Sequence, residues 1–184
     1  MKIYSWNMLF RSKEVDAAFE YVTGSDFDIF CLQEVPTEML TKLKATKYHL
    51  AYVTDVERIF PYAVYPGYNV ILSKFPILKE ETIPFRDYQD ALPFRTRLAV
   101  RLLRPFHFSK IRNRNGIYAD VSTQSGVVRV FCLHLILGHP LWRLEELQRA
   151  FAHLDSTQRT IVCGDFNILS WLHVTPINWL FAGK

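Results

Sequence analysis

Glycine, cysteine and long apolar runs are all scarce in this chain of 184 residues. Only 7 glycines and 9 prolines leave no room for a low-complexity or disordered chain. The cysteines number 3, and Cys31, Cys132 and Cys163 show no paired spacing. That excludes a disulfide framework and fits buried, reduced thiols, since each lies in an apolar stretch. No run reaches the ~18 apolar residues of a membrane helix. Charge begins at Lys2 and no apolar leader core follows. The expectation is a cytoplasmic protein without a transmembrane segment. Internal repeats are also missing, which excludes solenoids and propellers.

What is present suits one domain, expected over residues 1–184. Hydrophobic residues make up 49% of the chain and aromatics 15%, a composition that favours strands around a sizeable core. The formal net charge is +4, but it is uneven. Residues 86–114 hold eight Arg or Lys against Asp87 and Asp90, a local balance of +6 that leaves the rest of the chain at −2. Such a segment suits phosphate contacts, with Arg112 and Arg114 as candidates, and it equally suits a solvated basic face.

Hydrophobic periodicity organises the chain into alternating elements. Strands are expected at residues 3–6, 28–34, 48–56, 68–73, 78–84, 98–103, 116–121 and 127–135, with a short buried one at 160–164. Helices are expected at residues 12–23, with Ser12 as N-cap and Gly24 as the stop, and at 36–46, with Met39, Leu40 and Leu43 inward. A third is expected at 141–154, where Leu144, Leu147, Phe151 and Leu154 recur at helical spacing. Residues 87–94 read as loop, residues 122–126 as a hairpin turn, and 168–182 as a partly helical apolar tail. Strands outnumber helices and helices flank strand pairs, so two mostly antiparallel sheets should pack together with helices outside.

The chemistry-bearing residues sit at the ends of the apolar runs. Asn7, Gln33, Glu34, Asp165 and Asn167 end or follow residues 2–6 (KIYSW), 28–32 (DIFCL) and 160–164 (TIVCG). His134 lies inside residues 127–136 (VVRVFCLHLI). Polar groups fixed on strand ends are a rigid way to build a metal-and-phosphate site. Asp165 and Asn167 share one face if the backbone there is extended. A lone carboxylate such as Glu34 suits Mg²⁺, which keeps several waters. Each residue also has a plainer reading: Asp165, Asn167 and Asn7 as turn formers, Glu34 as a helix-entry acid, His134 as a satisfied core residue.

Taken in order, SWN, CLQEV, YNVILSKFPI, FCLHL and GDFN resemble the endonuclease/exonuclease/phosphatase superfamily, over residue 1 to about Asn167. The resemblance implies a DNase I-like α/β fold, a four-layered α/β/β/α sandwich of two mostly antiparallel sheets with outer helices. It implies a metal-dependent phosphoesterase that hydrolyses phosphodiester bonds in nucleic acid, with Mg²⁺ as cofactor and Mn²⁺ as substitute. Phospholipid or inositol phosphate is the alternative substrate class. By this resemblance Glu34 binds metal, with Asn7 and Asp165 beside it. Asp165, Asn167 and His134 are catalytic. Asn7 and Asn167 hold phosphate.

The family also uses a late Ser-Asp-His or Leu-Asp-His motif. No Asp or Glu follows Asp165, and Leu172–His173–Val174 does not match. The expectation is therefore a C-terminally incomplete sandwich lacking its last strands, with an open edge suited to a partner or to self-association. On that reading the chain is catalytically impaired or a binding module. His134 is then also expected to lack its usual carboxylate.

Overall fold

A computed structural model describes residues 1–86, 94, 98, 110–137 and 140–168. The expected loop at 87–94, the expected strand at 98–103 and the tail beyond 168 lie mainly or wholly outside those residues.

The chain opens with β1 (Ile3–Asn7), α1 (Val15–Gly24), β2 (Ile29–Pro36) and α2 (Thr37–Lys44). It continues through β3 (His49–Ile59), β4 (Val64–Ser73), β5 (Ile77–Pro84), β6 (Lys110–Arg112), β7 (Asn115–Thr123) and β8 (Gly126–His134). It closes with α3 (Pro140–Phe151) and β9 (Arg159–Asp165). One sheet runs β1-β2-β4-β3-β6 and the other β5-β7-β8-β9. Among the described residues only β1–β2 and β8–β9 are parallel pairs; the rest are antiparallel. The expected sandwich is therefore the observed one.

Alternation along β2 explains the layering. Phe30 and Leu32 face α1 and α2, in a core shared with Val22, Met39, Leu43 and Leu72. Ile29 and Cys31 face the second sheet, in a core with Ile71, Ala119, Val130 and Cys132. A third core on the outer face of the second sheet joins Tyr118, Phe131 and Leu133 to Ala150 of α3. A strand buried on both faces needs an apolar residue at nearly every position, which is why residues 29–32 are an unbroken apolar run.

Three local expectations need correction. The helix α1 starts at Val15, not Ser12, and no side chain caps it. The three-residue edge strand β6 forms between the expected strands at 98–103 and 116–121, where no element was expected, by pairing with β3 at Glu57↔Arg112. The third helix is rotated from the face its leucines suggest. Leu147 packs inward, but Leu144 (50%) and Phe151 (42%) are exposed, Glu146 is 2% exposed, and Leu154 falls beyond the helix end. The helix turns Glu146 toward the interior because a buried cation waits there, as described below.

Candidate active site at four strand ends

The two parallel pairs bring their C-terminal ends together. In register, Asn7 lies beside Gln33 and His134 beside Asp165. Across the sheets, the Asn7 side-chain amide donates to Asp165 Oδ2 at 2.8 Å. Residues 158 apart in sequence thus meet directly. Four strand ends converge because β1 and β2 pack against β8 and β9.

Strained backbone aims these groups. Glu34 has φ +54°, at the bulge where β2 shifts register against β4 between Leu32 and Val35. A non-glycine residue in the left-handed region is uncommon and marks a position fixed by its surroundings. Asn167 has φ +49°. Gly164 has φ +144°, and a Cβ there would lie 1.9 Å from the Leu133 carbonyl oxygen. Only glycine fits so close to β8.

Asp165 is held from two sides. Asn7 binds one oxygen, and the Asn167 backbone N–H donates to the other at 2.9 Å. The Asn167 amide donates to the Leu135 carbonyl at 2.7 Å, committing one of its two N–H bonds. The Leu9 N–H fixes Asn7 Oδ1 at 3.0 Å. Glu34 Oε2 accepts the Phe10 N–H at 3.1 Å, and Oε1 accepts from Arg58 at 2.9 Å. His134 Nε2 lies 3.5 Å from the same Oε1. Asn7, Glu34, His134, Asp165 and Asn167 are therefore neighbours, as the motif order implied.

His134 does have a carboxylate partner, contrary to expectation. Asp55 Oδ2 accepts from His134 Nδ1 at 2.6 Å. Asp55 is fully buried and sits at the bulge of β3 between Thr54 and Val56. Burial of the imidazole pushes its pKa down, but the charge and hydrogen bond of Asp55 outweigh this and hold His134 above its ordinary 6.5. Sequence reasoning missed both Asp55 and Arg58. The available signal was charge inside an otherwise apolar strand run, read there as the strand's end.

Gln33 belongs to the interior instead. It is 1% exposed and its amide donates to Ser5 Oγ, the Cys31 carbonyl and Cys132 Sγ. The three cysteines are free thiols, two of them buried. Arg112 and Arg114 do not form a common basic surface. Arg112 is exposed on β6. Arg114 is 6% exposed; its Nε and NH2 fork onto Glu146 at 3.1 and 3.2 Å, and NH2 donates to the His134 carbonyl at 2.6 Å. Glu146 also accepts the Ile136 N–H at 2.8 Å. Arg114 and Glu146 thus pin the backbone just after His134, and that is the cation α3 turns to meet.

Among the described residues no group of three or more His, Cys, Asp or Glu is arranged to hold a metal. The donor set still fits one kind of ion. Mg²⁺ uses one or two carboxylates and completes its shell with water and phosphate oxygens. Glu34, pinned by the Phe10 N–H at the end of a rigid strand, is a carboxylate that could serve such an ion.

The sequence profile of the Endonuclease/Exonuclease/phosphatase family matches residues 4–179. The chain belongs to that family. No curated protein matches the sequence. Solved structures agree on the fold. An endonuclease/exonuclease/phosphatase family protein from Leptotrichia buccalis C-1013-b superposes with TM-score 0.61 at 14% identity, over 91% of this chain and 66% of that one. ANGEL2, a 2′,3′-cyclic phosphatase, gives 0.59 at 17% identity, over 92% of this chain and 53% of that one. Humanized D. rerio TDP2 gives 0.59 at 17% identity, over 95% and 65%. The chain therefore spans about half to two thirds of these structures' lengths.

Proposed function

We propose that this chain is a divalent-metal-dependent phosphoesterase acting on phosphodiester bonds, with nucleic acid as the leading substrate. The observation that carries it is the convergence of Asn7, Glu34, His134 and Asp165 from four strand ends, joined by the 2.8 Å Asn7–Asp165 bond. Structural needs alone do not call for three carboxylates, a histidine and two carboxamides at one end of a sandwich. Family membership supports a hydrolase of phosphoesters, and such enzymes generally use a divalent ion.

In this reading Glu34 holds the ion, with Asn7 and Asp165 beside it. Bound Mg²⁺, or Mn²⁺ in its place, would neutralise charge on a phosphoryl oxygen. Asp165, oriented by Asn7 and the Asn167 N–H, accepts a hydrogen bond from the attacking water and takes its proton. His134, its pKa held up by Asp55, donates from Nε2 to the leaving oxygen. Asn167 and Asn7 orient the phosphate through their remaining amide N–H bonds. The basic stretch at 86–114 supports the nucleic-acid assignment through charge alone.

The test is hydrolysis of plasmid DNA, bis-p-nitrophenyl phosphate and phospholipid vesicles, each with Mg²⁺ or EDTA. DNA cleavage that needs Mg²⁺ and weakens on Arg112→Glu is the expected result. Cleavage of lipid headgroups in preference to DNA would move the substrate to the phospholipid class. No turnover on any of them by folded protein would sink the enzymatic reading and leave a binding module.

A further inference from the structure

The Arg58–Glu34 pair contains a donor with no acceptor among the described residues. Arg58 NH2 reaches Glu34 Oε1 at 2.9 Å, with the two side chains only 12% and 10% exposed. Arg58 NH1 is buried and has no hydrogen-bond partner among the described residues. A buried guanidinium N–H without an acceptor is strongly disfavoured unless an acceptor arrives in the working state. The guanidinium is held in place from both sides. Its carbon lies 3.8 Å from the centre of the Phe10 ring, and NH1 lies 3.3 Å from where a Cβ on Gly67 would be. Phe10 also donates its backbone N–H to Glu34. One residue thus positions both members of the pair.

Charge makes this arrangement consequential. Glu34 is the carboxylate assigned to the metal under the proposed function, and this inference rests on that assignment. A divalent cation on Glu34 would stand close to the Arg58 guanidinium in a poorly solvated pocket, where like charges repel strongly. An anion that binds both would remove the conflict. A phosphate diester is such an anion, and guanidinium N–H groups are well matched to its oxygens.

We infer that Arg58 is a phosphate-binding residue that makes metal and phosphate binding mutually dependent. Without substrate it neutralises Glu34 and weakens cation binding. With substrate its unpartnered NH1 takes a phosphate oxygen, and the guanidinium charge then favours the complex. The site would thereby hold its ion firmly only when a phosphoester is present. Linkage makes the effect reciprocal, so the cation tightens the phosphate by the same factor.

The experiment measures Mn²⁺ binding by electron paramagnetic resonance of the free ion, with and without dimethyl phosphate. The proteins are wild type, Arg58→Gln, Arg58→Lys and Glu34→Gln, each checked for folding by circular dichroism. In wild type, dimethyl phosphate should tighten Mn²⁺ about tenfold, within the usual coupling range. Arg58→Gln should bind Mn²⁺ alone about tenfold tighter than wild type and lose most of the coupling. Arg58→Lys keeps the charge but not the fork; its Mn²⁺ affinity should stay near wild type while coupling falls. Should Arg58→Gln not fold, the loss of coupling in Arg58→Lys carries the test. Mn²⁺ binding that depends on Glu34 but is indifferent to both Arg58 variants would overturn this inference and spare the metal assignment. Absence of Mn²⁺ binding in folded wild type and Arg58→Gln would overturn both.

Discussion

Two buried arginine–glutamate pairs lie among the described residues, and they differ in how completely they are satisfied. Arg114 forks onto Glu146 through two nitrogens and also donates to the His134 carbonyl, while Glu146 accepts the Ile136 N–H. Arg58 meets Glu34 through one nitrogen and leaves NH1 without a partner among the described residues. The first pair stitches α3 to the end of β8 and fixes the backbone that carries His134. The second faces the strand ends where the candidate chemistry sits. A closed network suits a structural joint, and an open one suits a site that awaits a ligand.

Removing one member from each pair should separate these roles. Arg114→Ala removes both guanidinium bonds to Glu146 and the one to the His134 carbonyl, deep in the interior, so unfolding stability should fall by about 3–5 kcal/mol. Arg58→Ala should cost less, about 1–2 kcal/mol, because it removes a single hydrogen bond, the one to Glu34. Urea titration of both variants checks the order. Equal losses would erase the distinction drawn between the pairs.

The histidine between them gives a pH test. Asp55 holds His134 above its ordinary 6.5 when folded. A raised folded pKa adds stability that is fully present below the unfolded pKa and is lost as pH rises through the folded one. Wild type should therefore lose stability as pH rises from about 6 upward. Asp55→Asn should flatten that slope and move the alkaline limb of any phosphoesterase profile to lower pH. Urea midpoints across the range decide it; an unchanged slope would detach Asp55 from His134.

The smallest effects belong to α3, where the same joint dictates the helix's rotation. Leu144 is half exposed, so Leu144→Ser should change stability by no more than about 0.5 kcal/mol. Leu147→Ser, on the face against the second sheet, should lose distinctly more in the same assay. Similar losses would mean that the helix sits as its leucine spacing suggests.

Much of the site was legible in the sequence because it lies at strand ends, where local pattern and position coincide. Glu34 and Asp165 stand where apolar runs stop, and Asn7, Asn167 and His134 fall in motifs with a fixed order. Asp55 and Arg58 were not legible in this way. They lie within a long strand, and their role depends on a bulge and on which residues the opposite sheet brings near. Arg114 shows the converse failure. Its neighbours in sequence are basic and suggest a surface, yet a single acid on a distant helix draws it inside. The rotation of α3 has the same origin, since hydrophobic spacing cannot register the pull of one buried ion pair.

The most direct measurement compares wild type with Glu34→Ala in hydrolysis of bis-p-nitrophenyl phosphate, with Mg²⁺ and with EDTA. Turnover that needs Mg²⁺ and falls about 10²-fold or more in the variant is the predicted result. Mg²⁺-dependent turnover that persists unchanged in folded Glu34→Ala would contradict the assignment of the metal to the four strand ends.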